Sequence, residues 1–277
     1  MIGAAWHPQR VVWVFEQLHT STTPLIVQTL DGRALLKYLG NRRGPNALAM
    51  EWIGLHAARG MGLPVPDCAM VMMTPDQADI VPGLRPGPGL AIRHHQISAW
   101  NRDPRSIDPR TVVDFFATLC VVDTWLLNRD RYGDASDGDG EAHHNYPNVQ
   151  VHTGRVDTGA PLAIDFSDAF HGGLALGRVP LSDLCGWPQV YGCFPEIRPV
   201  VPYQAIVTAC ERLGGGAWRA GCDAVASCPE AWWRVPLPRR QDAADLLRDR
   251  AQTLASHLPL LIARYITPPN RTIFDPP

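Results

Sequence analysis

Two stretches of the sequence decide its interpretation: Asn128-Arg-Asp-Arg131 and, further along the chain, Leu162-Ala-Ile-Asp165. The first follows directly on apolar residues at helical spacing, which are Val112, Phe116, Leu119, Val122 and Leu126. Its polar groups are therefore expected to emerge at a helix end, beside a core. The second is a short apolar run that predicts a buried strand ending in a carboxylate. Either aspartate alone could be an ordinary turn or cap residue, but together they indicate a site for metal and phosphate.

A lysine and a glutamate earlier in the chain point to the same chemistry. Lys37 lies in the second strand of a predicted hairpin, and strand alternation places it on one face with Leu35 and Leu39. Glu51 lies in the next predicted helix, in register with the apolar residues Leu48, Leu55 and Ala58. Taken alone, Lys37 would be interpreted as an exposed residue of an edge strand. Because buried charges are rare unless they are paired, we expect Lys37 and Glu51 to meet, like the pair that holds nucleotide phosphates in kinases.

An asparagine lies between the two aspartates, in Asn148-Val-Gln-Val151, directly ahead of a predicted strand. An amide oxygen at this point suits a second ligand beside Asp165, since magnesium prefers oxygen ligands. The order of these groups along the chain is the order in which kinases present them: Lys37, Glu51, Asp130, Asn148 and Asp165.

The first part of the chain is predicted to be rich in strands. Pro24–Leu39 reads as a hairpin with Asp31-Gly32 as its turn. A helix follows, with Pro45 in its first turn, Ala47–Arg59 as its body, and an end at Gly60 or Gly62. Further strands are expected at Cys68–Met73, Leu90–Ile92, Val149–His152 and Leu162–Ile164, with the Pro/Gly-rich stretch Val81–Gly89 as a loop.

The second part is predicted to be mainly helical. Asp108 suits a helix N-cap and Pro109 the first helical position, and a long last helix is expected from about Arg239 to His257, before Pro259. The predicted class is therefore α+β, as one two-lobed domain over residues 1–277, with a β-rich lobe to about residue 97 and a helical lobe from about residue 98.

The composition indicates a globular protein and argues against several classes of partner. The chain has 277 residues, 45% of them hydrophobic, which is enough to bury a full core. Its 25 Lys and Arg balance 27 Asp and Glu, which argues against nucleic acid or a membrane surface as a partner. No secretory signal or membrane-spanning run is recognised. The seven cysteines include no Cys-x-x-Cys pair, which favours a reduced, cytoplasmic protein over a zinc site.

These stretches resemble the HipA-like kinases, distant relatives of protein kinases and phosphatidylinositol kinases. The resemblance spans about residues 20–170 and is carried by Gly44-Pro-Asn-Ala-Leu-Ala-Met-Glu51, Gly62-Leu-Pro-Val-Pro66, Asn128-Arg-Asp-Arg131 and Ala163-Ile-Asp-Phe-Ser-Asp-Ala-Phe170. It implies a two-lobed, kinase-like fold and a phosphotransferase that uses ATP and Mg²⁺. It also implies a catalytic carboxylate at Asp130, a catalytic role for Asn128, and magnesium ligands at Asn148 and Asp165.

The same resemblance implies a nucleotide site in the first lobe. Lys37 would bind the phosphates, with Glu51 as its partner. Adenine would lie against residues 91–95, which include His94. Backbone amides of a short loop would face the phosphates, and the loop residues are Thr20, Ser21, Thr22 and Thr23.

The sequence departs from the family pattern in three places. Tyr132 stands where the family often has a histidine, and residues 133–144 form an unusually long insertion. The insertion leaves Asn145 as an alternative to Asn148; it matches neither a calcium loop nor a zinc site, and a flexible polar loop is expected. Asp165-Phe-Ser167 has no glycine, so activation-loop switching is not assumed. Asp168 either orients the site or caps the next turn.

Three functions remain open on the sequence alone. The leading one is a kinase that transfers the γ-phosphoryl group of ATP to a hydroxyl, with Ser or Thr of an unidentified protein as the expected acceptor. The second is a small-molecule phosphotransferase of the aminoglycoside or choline type. The third is a pseudokinase that binds nucleotide and acts as an interaction module. Oligomeric state is not predicted.

Overall fold

A five-stranded antiparallel sheet forms the first lobe. The computed structural model describes residues 6, 8, 10–79, 81–95, 97–133, 143–152 and 159–266, so most of the predicted insertion loop lies outside the described residues. The strands of the sheet are β1 (Val11–Gln17), β2 (Leu25–Thr29), β3 (Gly32–Lys37), β4 (Cys68–Met73) and β5 (Gly87–Arg93), and their spatial order is β1-β2-β3-β5-β4. Two helices interrupt this order along the chain, α1 (Pro45–Gly60) and α2 (Pro75–Ala78).

The predicted hairpin is formed by β2 and β3, but its turn lies one residue earlier than expected. Thr29 pairs with Gly32, so Leu30 and Asp31 are the turn residues. The Thr29 hydroxyl donates to the carbonyl of Gly32 at 2.7 Å and accepts from the amide of Asp31 at 3.2 Å. Gly32 takes a positive φ of 111°, which explains why glycine stands there even though it belongs to the strand.

β5 begins inside the stretch that was expected to be a loop. It starts at Gly87, whereas the sequence predicted a loop through Gly89. The two glycines allow the strand to pass close to its neighbours: a Cβ at Gly87 would lie 2.9 Å from Leu39, and one at Gly89 would lie 3.0 Å from Leu36. Close approach of backbone to side chains accounts for glycines within a central strand.

The second lobe is mainly helical, as predicted. Its helices are α3 (Val112–Trp125), α4 (Leu174–Arg178), α5 (Leu181–Cys185), α6 (Tyr203–Arg212), α7 (Arg219–Ser227) and α8 (Arg240–Ile266). Its short strands are β6 (Ile97–Ala99), β7 (Tyr132–Gly133), β8 (His143–His144), β9 (Val149–His152) and β10 (Pro161–Ala163). β10, β9 and β6 form one antiparallel sheet, and β7 pairs with β8.

Two predicted helix ends were wrong. α3 begins at Val112 and not at Pro109, and Asp108 starts a separate turn ahead of it, in which its carboxylate accepts the amide of Arg110 at 2.9 Å and its carbonyl accepts the amide of Val112 at 3.0 Å. α8 continues through Pro259 to Ile266 instead of ending near His257. Leu258 and Ile262 are fully buried, so packing continues past the proline and offsets the backbone hydrogen bond that it removes.

Helix α1 joins the two lobes. The hydrophobic cluster that contains its buried residues also contains those of α3, α7 and α8, whereas a second cluster fills the opposite side of the sheet. A Cβ at Gly60 would lie 2.5 Å from the Ala220 side chain, and one at Gly54 would lie 2.2 Å from Phe166. α1 therefore lies directly on the second lobe, and it carries Glu51 to the boundary between the lobes.

None of the helices in the described part of the chain combines the length and apolar character needed to cross a bilayer. The seven cysteines are all free thiols.

Candidate active site

A cleft of about 350 Å³ lies between the sheet of the first lobe and the short strands of the second. The sequence predicted seven residues for the nucleotide site, and five of them line this cleft: Thr20, Thr22, Lys37, Glu51 and His94. Both predicted metal ligands, Asn148 and Asp165, line it as well. Apolar side chains form much of the remaining wall, namely Leu18, Pro24, Ile26, Leu35, Ile92, Ile97 and Ile164. An apolar slot with a few converging charges is the usual form of a small-molecule site.

A buried ion triad lies in the cleft. The Lys37 ammonium donates to Glu51 Oε2 at 2.9 Å and to Asp165 Oδ1 at 3.0 Å. Lys37 comes from β3, Glu51 from α1, and Asp165 follows β10. The Lys37 ammonium therefore links three separate elements of the fold. The Lys37 and Glu51 side chains are 4% and 1% exposed, while that of Asp165 is 28% exposed. Asp165 is thus the member of the triad that faces an incoming ligand.

Burial and pairing set the protonation of this triad. Burial alone would lower the pKa of Lys37, but Asp165 and Glu51 raise it above its usual value. Burial alone would raise the pKa of Asp165, but Lys37 and the Ser167 hydroxyl, which donates at 2.6 Å, hold it well below its usual range. For Glu51, burial outweighs the opposing effect of Lys37 and raises the pKa to about 7. Asp165 therefore keeps its negative charge at neutral pH, as a metal ligand must.

Asp165 has a backbone conformation that is uncommon for an aspartate. Its φ is +59°, in the left-handed region, and it lies two residues after the last residue of β10. Ile164 donates its amide to the carbonyl of Asn148 at 3.0 Å, so the end of this strand is tied to the start of β9. Strained backbone at such a point is characteristic of functional sites.

Both candidate asparagines contact Asp130. The side-chain amide of Asn145 donates to Asp130 Oδ2 at 3.2 Å, and that of Asn148 donates to the same oxygen at 2.9 Å. Only Asn148 also lines the cleft. With its NH₂ group on Asp130, Asn148 keeps its amide oxygen for another partner. This placement favours Asn148 over Asn145 as a metal ligand and gives both residues a part in orienting Asp130.

Asn128 does not lie where a catalytic role requires it. The side chain is fully buried, and its amide donates to Asp123 Oδ1 at 3.0 Å. Its backbone amide also bonds to the carbonyl of Asp123, at 2.8 Å. Asn128 fixes the start of the loop that carries Asp130 and is absent from the cleft wall, so its placement does not support the expected catalytic role, which stays a prediction.

Two buried residues that the sequence reasoning did not single out hold this loop in place. Arg131 and Asp123 are both fully buried, and Arg131 Nε donates to Asp123 Oδ2 at 2.9 Å. Arg131 Nη1 donates to the carbonyls of Asn148 and Ile164 at 3.0 and 2.7 Å. The guanidinium thus connects the loop to the backbone at the start of β9 and just after β10, beside the predicted metal ligands. An aspartate within the apolar run of α3 was the available signal in the sequence.

A second buried arginine supports the helix that leads into the loop. Arg250 of α8 donates to the carbonyls of Trp125 and Thr124, at 2.8 and 2.7 Å, at the end of α3. It also donates to the carbonyl of Leu184. Burial lowers the pKa of Arg250 to about 10, so the side chain still carries its charge at neutral pH. The carbonyls at the end of α3 thus gain a charged donor.

The predicted phosphate loop is a tight turn between β1 and β2. The amide of Thr23 donates to the carbonyl of Thr20 at 3.1 Å, and Thr23 has a φ of +44°. Thr20 and Thr22 line the cleft, whereas Ser21 is exposed and Thr23 is buried outside the lining. The Thr23 amide is engaged within the turn and is therefore not directed at a phosphate.

The segment that joins the lobes forms the far end of the cleft. His94 lines it and donates its backbone amide to the carbonyl of Arg33 at 3.0 Å. His95, the last residue of the segment expected to face adenine, also lines it and packs edge-on against His152 with ring centroids 5.0 Å apart. Burial and the neighbouring His152 lower the pKa of His95, which favours a neutral ring that can contact a flat heterocycle.

The donor set fits magnesium. Asp165 offers a charged carboxylate and Asn148 a neutral amide oxygen, which are hard oxygen ligands. In the described part of the chain no three His, Cys, Asp or Glu side chains are grouped as a metal site, so these two ligands would depend on phosphate oxygens to complete the shell. A buried Glu51 Oε1 with no hydrogen-bond partner also lies in this cleft, next to Lys37.

Comparison with protein-family models gives no match, and comparison with curated proteins also gives none.

Solved structures do match. The chain is similar to CtkA, a proinflammatory kinase of Helicobacter pylori, with a TM-score of 0.57 and 12% identity over 90% of this chain and 97% of that one. It is also similar to the golgi casein kinase, with a TM-score of 0.53 and 10% identity over 92% of this chain and 74% of that one. HipA of Shewanella oneidensis MR-1 matches at a TM-score of 0.37, which is too low to support an argument. At these identities the likeness establishes the fold, and the chain has the two-lobed, α+β, kinase-like fold that its sequence predicted.

Proposed function

We propose that this chain is a phosphotransferase that binds ATP and Mg²⁺ in the cleft and transfers the γ-phosphoryl group to a hydroxyl. One observation carries the proposal: a buried lysine joins a helix glutamate to a partly exposed aspartate, at 2.9 and 3.0 Å, in a cleft whose wall also contains Asn148. Lys37 would bind phosphate oxygens, and Glu51 would keep it in place. Asp165 and Asn148 would hold the metal ion.

The residues present support an in-line transfer. The acceptor oxygen would form a new bond to the γ-phosphorus while the bond from that phosphorus to the β–γ bridging oxygen breaks, and its electron pair leaves on ADP. The acceptor proton would pass to Asp130, which two asparagine amides orient through Oδ2. Bound magnesium would supply charge neutralisation for the phosphate oxygens. The protein would contribute mainly positioning and electrostatics.

The apolar end of the cleft would take the adenine ring. Ile92 and Ile97 lie on either side of the segment that joins the lobes, and His94 and His95 lie between them. We further propose Ser or Thr of a protein as the acceptor and the cytoplasm as the location. The first rests on the family resemblance, and the second on the free cysteines.

A binding experiment paired with a turnover experiment tests the proposal. Thermal unfolding would be followed with ATP, with ATP and Mg²⁺, and with excess EDTA, while ADP release is measured with and without a cell lysate as the source of acceptor. A magnesium-dependent rise in Tm together with ADP release supports the proposal. A rise in Tm without any transfer indicates a nucleotide-binding pseudokinase, and no rise at all overturns the assignment of the cleft.

A further inference from the structure

Two arginines converge on one buried carboxylate at the edge of the candidate site. Asp168 is 7% exposed and lies three residues after Asp165. Arg43 Nη2 forms a hydrogen bond with Asp168 Oδ1, and Arg129 Nε lies 3.8 Å from Asp168 Oδ2. Arg129 is next to Asp130 in the loop, whereas Arg43 lies in the connection between β3 and α1, 125 residues away in sequence from Asp168.

The connection that carries Arg43 is braced by its own hydrogen bonds. Asn41 is buried, and its side-chain oxygen accepts the backbone amide of Arg43 at 2.9 Å. Its amide group donates to the carbonyls of Tyr38 and Gly44, at 2.8 and 3.3 Å. The backbone of Arg43 is therefore held at both sides, and a guanidinium on a fixed backbone loses less entropy when it binds an anion.

The charge of Arg43 is available to the reacting groups. Partial burial alone would lower the pKa of Arg43, but the hydrogen bond and charge of Asp168, with the charges of Asp130 and Asp165, raise it. The guanidinium therefore interacts electrostatically with Asp130, proposed to accept the proton of the acceptor hydroxyl, and with Asp165, proposed to bind the metal ion. Its side chain is 32% exposed, and among the described residues no hydrogen-bond acceptor is assigned to its Nε or Nη1 groups.

We propose that Arg43 is a further catalytic residue, which donates hydrogen bonds from the β3–α1 connection to the oxygens of the transferring phosphoryl group, while Asp168 acts as the positioning residue that holds it. This inference rests on the proposed function. Lys37 would contact the phosphates beside Asp165, whose Oδ1 lies 3.0 Å from its ammonium, and Arg43, held by Asp168, would supply a second positive charge. A hydrogen-bond donor that is already in position before the reaction stabilises the negative charge on the phosphoryl oxygens in the transition state.

Kinetics of three variants test the proposal. Arg43→Gln should lower kcat by roughly 10²-fold with little change in the KM for ATP, since the contact is made in the transition state. Arg43→Lys should recover part of the loss by keeping the charge without the planar fork. Arg42→Gln removes the neighbouring exposed arginine and should match wild type. Equal kcat in wild type and Arg43→Gln would overturn the proposal, as would a loss confined to KM.

The role of Asp168 has its own test. If Asp168 acts through Arg43, then Asp168→Asn should lower kcat, and adding it to Arg43→Gln should lower kcat no further. Independent, multiplying losses would show that Asp168 does not act through Arg43. A purely structural ion pair would instead reduce Tm in both variants and leave kcat unchanged at temperatures where the protein is folded.

A binding measurement separates failure of this inference from failure of the proposed function. Aluminium fluoride bound beside ADP and Mg²⁺ is an analogue of the phosphoryl group in the transition state. Wild type should bind ADP more tightly with aluminium fluoride than without it, and Arg43→Gln should lose this gain while keeping its affinity for ADP alone. If wild type gains affinity and Arg43→Gln gains as much, only the role of Arg43 is refuted. If wild type neither turns over ATP nor gains affinity, both proposals are refuted.

Discussion

Replacing Arg131 by methionine is the substitution whose effect the structure fixes most closely. Arg131 and Asp123 are each fully buried and 2.9 Å apart. Removing the guanidinium leaves the Asp123 carboxylate without its cation in the interior, which costs roughly 3–5 kcal/mol. The carbonyls of Asn148 and Ile164 also lose their donor, at about 1 kcal/mol each. We therefore expect Arg131→Met to lower the free energy of unfolding by about 5–7 kcal/mol, a large share of a typical total of about 5–15 kcal/mol.

Urea unfolding at neutral pH measures this effect, and an exposed ion pair in the same chain provides the control. Arg110 lies 2.8 Å from Asp108, but its side chain is 88% exposed. Arg110→Met should change the free energy of unfolding by less than about 0.5 kcal/mol, because surface ion pairs contribute little. A second change, Asp123→Asn, should restore about 1–3 kcal/mol to Arg131→Met by removing the unpaired charge.

A loss below about 1 kcal/mol in Arg131→Met would refute the reasoning, since a buried carboxylate that has lost its cation and keeps only the Asn128 amide as a donor cannot be that inexpensive. A loss of the expected size that Asp123→Asn leaves unchanged would show that lost packing on Phe166, whose ring lies 4.8 Å from the guanidinium, dominates instead.

Three further predictions concern the cleft. Asp165→Ala should abolish the magnesium-dependent part of ATP affinity, and an unchanged magnesium titration would contradict its role. Asn148→Ala should weaken magnesium dependence more than Asn145→Ala, because only Asn148 lines the cleft; a larger effect in Asn145→Ala would reverse the assignment. Burial raises the pKa of Glu51 to about 7, above its usual 4.5, so the folded chain binds more protons than the unfolded chain between these values. The free energy of unfolding of wild type should therefore fall, relative to Glu51→Gln, as the pH rises from about 4.5 to 7; parallel urea titrations of the two proteins at pH 5 and 8 would reveal a constant difference if this is wrong.

The sequence predicted the site best where one physical constraint acted locally. A glutamate on the apolar stripe of α1 and a lysine on the apolar face of β3 each needed a partner, and they are paired at 2.9 Å. The run that ends at Asp165 needed only its apolar character to be recognised as a buried strand, although the strand lies one residue earlier than expected, at Pro161–Ala163.

Long-range hydrogen bonds account for what the sequence did not reveal. The family resemblance implied a catalytic role for Asn128, but its side-chain amide donates to Asp123 in the preceding helix. Arg131 reaches two carbonyls far along the chain, at 148 and 164, and no local pattern predicts such a contact. β1 was not predicted: it lies at the edge of the sheet, and its residues Trp13 and Phe15 are exposed, so it lacks the simple apolar and polar alternation.

Transfer of label from γ-labelled ATP to the proteins of a cell lysate, by wild type and by Asp130→Asn, tests the central claim most directly. Both proteins should show the same rise in Tm with ATP and Mg²⁺, because Asp130 is assigned to the acceptor and not to the nucleotide. Wild type should label at least one lysate protein or itself, and Asp130→Asn should lose the labelling by roughly 10²-fold or more. Equal labelling by the two proteins, or binding of ATP without labelling by either, would contradict the account.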